Sequence, residues 1–184
     1  MVAVGIIALI LVVVFFSVVG IYNQLIQLRE NVKNGWAQID VQLKRRHDLI
    51  PNLVEVAKGY MAHEKTTLEN VIKARQVAVD ATSIKDKIAA ENVLTGTLRS
   101  LFAVSENYPN LKADTQMTRL QEEITTTENK ISFSRQYYND EVNRLNVAVQ
   151  TFPNSIIAGA FHFEQGAFFK IDDAAERQTP QVKF

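Results

Sequence analysis

The sequence predicts an all-α protein: an N-terminal transmembrane helix followed by an antiparallel helical bundle of three to four long helices. Three observations carry that expectation. Residues 2–28 hold no Asp, Glu, Lys, Arg or His. Beyond them, apolar residues recur at steps of three and four, and later at steps of seven. Only four prolines and seven glycines punctuate the chain, too few turn formers for a β fold of this size. The expected organisation is an anchor over residues 1–22, a bundle over 23–152, an aromatic-rich segment over 153–170 and a polar tail over 171–184.

The anchor is the run VAVGIIALILVVVFFSVVGIY, residues 2–22, and about 20 such residues as a helix cross the roughly 30 Å hydrocarbon layer. No Lys or Arg precedes it, so the basic n-region of a cleaved signal peptide is missing. As a soluble core helix it would need apolar cover on every side, more than a chain of this length supplies. Arg29 and Lys33 follow the span closely, and the bias of basic loops towards the cytoplasm places the bundle there, with the N-terminus outside.

From Tyr22 the apolar positions Leu25, Leu28, Val32, Trp36, Ile39 and Leu43 form one stripe, a stalk helix continuous with the span. Lys44, Arg45 and Arg46 then read as cations on the negative carbonyl end of that helix, with Asp48 capping the next and Pro51 in its first turn. Asp40, Arg45, Arg46, Asp48 and Asn52 would make a polar network at this corner, with a carboxylate-bearing partner as the sharper alternative. The other topology leaves Pro51 as a kink inside one longer helix and moves the corner to Gly59–His63. Anionic lipid is a poor partner for the three cations. Lys44 lies about 22 residues beyond Tyr22, roughly 33 Å along an upright helix and several Debye lengths from the membrane.

A second helix reads Leu53, Val56, Tyr60, Thr67, Val71, Arg75 and Ala78, ending near Ala81-Thr82-Ser83. The third covers Ile84 to Asn107, with Ile88, Leu94, Leu98, Leu101 and Phe102 apolar, and Tyr108-Pro109-Asn110 stops it. In the fourth, Met117, Ile124, Ile131, Tyr138, Leu145 and Phe152 lie seven apart, a heptad stripe about ten turns long. Thr127 and Ser134 on the adjoining seam suit an intramolecular bundle better than a free-standing coiled coil.

Composition excludes several chemistries. Twenty Lys+Arg balance 20 Asp+Glu, so no net field draws the chain onto nucleic acid. With no cysteine, disulfides, thiolate catalysis, iron–sulfur clusters and sulfur-built zinc sites are unavailable. A di-iron bundle uses Glu-x-x-His pairs, yet the residues three before His47, His63 and His162 are Lys44, Tyr60 and Gly159. His63-Glu64 opens like a zincin helix, but Thr67 stands where the second histidine belongs. Phosphate loops and nucleophile elbows are likewise missing, so no cofactor, metal or small-molecule substrate is expected.

Residues 22–64, YNQLIQLRENVKNGWAQIDVQLKRRHDLIPNLVEVAKGYMAHE, resemble the signature block of the LemA family of bacterial membrane-anchored helical proteins. The later segment YYNDEVNRLNVAVQTFPNSIIA, residues 137–158, is similar to its second block, with Tyr138, Asn139, Val142, Asn146, Phe152, Pro153 and Ala158 in place. Two departures stand out. Gly35 replaces the alanine usual before the tryptophan, and Leu145 precedes Asn146 where a second Tyr-Asn pair is common. Gly35 costs the helix up to about 1 kcal/mol relative to alanine, which points to a close helix contact. The resemblance implies one N-terminal span in the bacterial inner membrane and a cytoplasmic antiparallel bundle. It also implies an association of some members with magnetosome membrane formation, and no established enzymatic activity.

After Phe152-Pro153 comes NSIIAGAFHFEQGAFF, with Ile156, Ile157, Phe161, Phe163, Phe168 and Phe169, too short and polar to span a bilayer. It either covers one end of the bundle, docks on a neighbouring subunit or enters the membrane interface. Trp36 is expected as a core or interface anchor, and the tail beyond Asp172 as a disordered segment. The functional expectation is a non-enzymatic scaffold. It is held in the bilayer by residues 2–22 and acts through self-association or protein partners, in membrane organisation or remodelling. The alternative is a membrane-tethered hydrolase or metal-dependent enzyme using His63, Glu64 and Glu69.

Overall fold

Apolar side chains at steps of three and four make helices in this chain from its second residue onward, and the computed structural model, which describes residues 1–169, is built of helices with no strand among them. Helix α1 runs unbroken over Val2–Lys58. It is followed by α2 (Lys65–Asp80), α3 (Ile84–Ser105), the single turn α4 (Pro109–Lys112), α5 (Thr115–Gln150) and the short α6 (Asn154–Ala160). The polar tail expected over residues 171–184 lies outside the described residues.

The described chain divides into two compact units, and both α1 and α5 pass from one to the other. One unit holds Met1–Asp40 with Ser132–Phe168; the second holds Val41–Ile131, joined by Phe169.

In the first unit the stretch expected as the anchor is the start of α1, apolar and long enough to cross a membrane. Along it Ile6, Leu9, Leu11, Phe15 and Phe16 are each more than half exposed. A soluble core helix would have buried them, so lipid is the apolar solvent that this surface suits. Ser17 donates to the Val13 carbonyl at 2.8 Å and so hides its hydroxyl in the helix itself. Past the span, α5 descends antiparallel to α1, with Gly35 against Tyr138, Asn31 bonded to Glu141 and Leu25 packed on Ala148.

In the second unit Ile50, Leu53, Val54 and Ala57 of α1 share one core with Met61, with Leu68 and Val71 of α2, with Leu94, Leu98 and Leu101 of α3, and with Met117 and Ile124 of α5. The links are capped by side chains. Ser83 Oγ accepts the Asp86 N–H at the start of α3, and Asp114 Oδ1 accepts from Gln116 and Met117 at the start of α5, satisfying amides that a helix start leaves without partners.

Three expectations change. No corner forms at Lys44-Arg45-Arg46; the other topology holds, with α1 continuing through Pro51 to Lys58 and the chain turning from Gly59. Leu53 and Val56 consequently belong to α1, Tyr60 sits in the turn, and the second helix starts at Lys65. A proline denies an N–H to the carbonyl four residues back, normally the end of a helix. Here that carbonyl belongs to His47 and accepts instead from Arg75 Nε of α2 at 2.7 Å, so the helix loses a donor without losing the bond. Finally, the heptad stripe is buried from Met117 to Leu145 but fails at Phe152, which lies past the end of α5 and is 77 % exposed.

Candidate functional site

The stripe Ile39, Leu43, Arg46, Ile50 and Leu53 keeps helical spacing, so Arg46 occupies a core position of α1 and is 0 % exposed. Its Nη2 pairs with Glu91 of α3, itself 1 % exposed, and its Nη1 with Glu128 of α5. Thr95 Oγ1 accepts a further bond from Nη1 at 2.9 Å. His47 Nε2 lies 2.7 Å from the second Glu91 oxygen. Burial pushes the Glu91 carboxyl upward, but the His47 hydrogen bond and the Arg46 charge outweigh it and hold the group below its ordinary value. The two terminal nitrogens of Arg46 face acceptors, while its buried Nε has no hydrogen-bond partner among the described residues. The chemistry of this centre is to pin α1, α3 and α5 at one register.

In the other unit the site is a platform for the segment that returns after α6. Trp36 meets the Tyr138 ring edge-on at 5.7 Å. A Cβ on Gly35 would stand 3.2 Å from the Tyr138 Cα, which is why this helix crossing takes glycine. The buried Glu141 accepts from Asn31 at 3.3 Å and from Arg144 at 2.9 Å. Asn146 clamps the returning backbone twice, accepting the Gly166 N–H at 2.7 Å and donating to the Gly166 carbonyl at 3.0 Å. Tyr138 Oη donates to the Ala167 carbonyl at 2.9 Å. The reversal at the end of α6 is made by His162 at φ 57°. The His162 N–H reaches the Gly159 carbonyl and that of Phe163 reaches Ala158, a Schellman arrangement. It returns Phe161 and Phe163 to Tyr22, at 4.8 and 5.9 Å between ring centres, and sets Arg29 over the Phe163 ring at 5.5 Å.

The residues singled out from the sequence scatter accordingly. Arg46 alone of the expected corner network is in the interior, while Asp40, Lys44, Arg45, Asp48, Pro51 and Asn52 are exposed along α1. A continuous helix spreads these residues around its circumference instead of gathering them at an end. Trp36 and Phe163 are half-buried; Phe161, Phe168, Phe152 and Pro153 are exposed, and Phe169 is buried. His63 is exposed in the turn, and Glu64 there accepts from Tyr108 Oη at 3.2 Å. Among the described residues no three of His, Cys, Asp and Glu come together as metal ligands.

A family model, that of the LemA family, matches residues 35–184. The chain belongs to the LemA family. It is similar to Protein LemA of Metamycoplasma hominis, 25 % identical over 163 residues, covering 86 % of this chain and 73 % of that one. Magnetosome protein MamQ of Magnetospirillum gryphiswaldense is 21 % identical over 189 residues, covering 88 % of this chain and 70 % of the relative. Magnetosome protein MamQ 1 of Paramagnetospirillum magneticum matches to the same extent. This is a membrane-associated helical protein with bacterial relatives.

The block that first suggested the LemA family now has a physical reading. Tyr138, Val142, Asn146 and Ala158 are the surface on which the C-terminal segment of this LemA chain folds back. Glu91, Glu128, Thr95 and Arg75 were missed. Glu91 carried a signal, since it continues the apolar stripe Leu94, Leu98 and Leu101 of α3 towards its N-terminus, where a lone carboxylate requires a buried cation. Arg75 carried none, because its partner is a backbone carbonyl.

Proposed function

We propose that this LemA-family chain is a non-enzymatic scaffold. Residues 2–22 fix it in the bacterial inner membrane with the bundle on the cytoplasmic side, and it organises membrane through contact with its own copies or with protein partners. The observation that supports this reading best is the single helix α1, whose 57 residues carry the apolar span and the helical units without a break. At 1.5 Å per residue it is roughly 86 Å long, so a load on the bundle passes to the bilayer through hydrogen-bonded backbone and not through a flexible tether. The charges of the core favour the same reading: buried Arg46 and Glu91 and half-buried Glu128 are spent on one another. The relatives named as magnetosome proteins favour a role in organising membrane.

Native mass measurement in mild detergent, with cross-linking in membranes, tests it. A defined oligomer or a stoichiometric protein partner is the expected result. A monomer without a partner, or a metal bound in stoichiometric amount and lost on His63→Ala, overturns it. Orientation follows from Arg29 and Lys33 beside the span, and protease added to sealed inverted vesicles is expected to reach the bundle.

A further inference from the structure

We propose that the tip formed by the end of α5 and by α6 is a second membrane contact, lying in the headgroup layer beside the span, with Phe152, Ile156 and Phe161 directed at lipid. The proposal rests on residues 2–22 being the anchor. Its ground is the register of two antiparallel helices within one unit. Tyr138 lies against Gly35, Glu141 bonds Asn31, and Ala148 packs on Leu25. The same register brings Gln150, the last residue of α5, to the level of Asn23 beside Tyr22, where the span ends, and Phe152 follows in the turn just beyond it. Phe161 confirms that level independently, its ring 4.8 Å from Tyr22.

Charge marks the same boundary on both sides of this helix pair. On α1 the first charged residue is Arg29, seven residues and about 10 Å above Tyr22, a little more than the headgroup region occupies on one face of a bilayer. On the partner side, residues 145–163 contain no Asp, Glu, Lys or Arg, and Arg144 and Glu164 close the interval; His162 is the one titratable group inside it. Phe152, Ile156 and Phe161 are 77, 62 and 53 % exposed. Apolar side chains on an uncharged surface at headgroup depth, with an aromatic pair at the boundary, are what an interfacial contact requires. The consequence is that α1 is held at two points and its tilt is set by the protein.

The chain has no cysteine, so single Phe152→Cys, Ile156→Cys, Val4→Cys and Val77→Cys variants of the full-length protein take an environment-sensitive fluorophore without background. All four positions are exposed, and an unchanged circular-dichroism spectrum verifies folding. In nanodiscs containing lipids with a shallow doxyl quencher, the labels at 152 and 156 are expected to lose emission as the label at 4 does, while the label at 77 keeps it. Labels at 152 and 156 that behave like the one at 77 while the label at 4 is quenched overturn the proposal and leave the anchor standing. Labels at 152 and 156 shielded from both the lipid quencher and aqueous iodide would mean that a second copy covers the tip, which also overturns it. A label at 4 that is not quenched removes the anchor, and the proposal with it.

Discussion

Arg46→Leu keeps the spacing of the stripe and removes the buried cation that pairs with both Glu91 and Glu128. Stranding a buried carboxylate costs about 3–5 kcal/mol, so thermal unfolding followed by circular dichroism in detergent is expected to shift strongly downward, with Arg46→Lys in between because a lysine lacks the fork. Glu91 makes the same centre sensitive to acid. Its carboxyl is held below its ordinary value in the folded protein, so the stability it contributes is complete above the ordinary glutamate pKa of about 4.3 and fades as pH falls through the lower folded value. Unfolding measured against pH is expected to lose stability in that acidic window, and Glu91→Gln to be less stable at neutral pH and flatter across it. At Gly35 two effects oppose. Alanine gains up to about 1 kcal/mol of helix propensity, while its Cβ meets the Tyr138 Cα at 3.2 Å. Gly35→Ala is therefore expected to melt close to the parent, and Gly35→Leu, which adds atoms towards Tyr138, to lose about 1–3 kcal/mol.

At the scale of the element, α1 survives its proline because α2 supplies the missing donor. Arg75→Ala leaves the His47 carbonyl without its partner, a loss of about 1–3 kcal/mol for a part-buried group. Pro51→Ala restores the helix's own N–H to that carbonyl. The two substitutions are expected to couple: the cost of Arg75→Ala falls in the Pro51→Ala background, and a double-mutant cycle from unfolding curves measures by how much. Additive costs would mean that the Arg75 contact does not sustain the helix. This is also where sequence reading stopped short. The residues 43–51 present cations and a proline in the order that ends one helix and begins another, and only a bond to a side chain 28 positions away reverses that meaning. The heptads of α5 were easier to read, since Met117, Ile124, Ile131, Tyr138 and Leu145 are all buried, and repetition averages over local exceptions.

For the molecule as a whole, the exposed apolar surface is concentrated at the start of α1. A chain beginning at residue 23 is expected to be soluble without detergent and to keep a strongly helical circular-dichroism spectrum, because the core from Ile50 to Ile124 closes on itself. Precipitation, or a spectrum with little helix, would show that this core depends on the anchor. What the sequence determined by itself was everything written in local period and composition: the span, the all-helical class, α3 and α5, and the close contact at Gly35. Those features need only neighbours three to seven residues away, so the code for them is short. The tertiary structure alone decided the fate of individual polar and aromatic residues. Whether Arg46 is a surface cation or a buried pin depends on Glu91 and Glu128, and whether Asn146 is a solvated amide or a clamp depends on Gly166. A charge or an amide takes its role from the partner that desolvates it, and such partners lie at separations of 20 to 82 residues, which no helical period encodes.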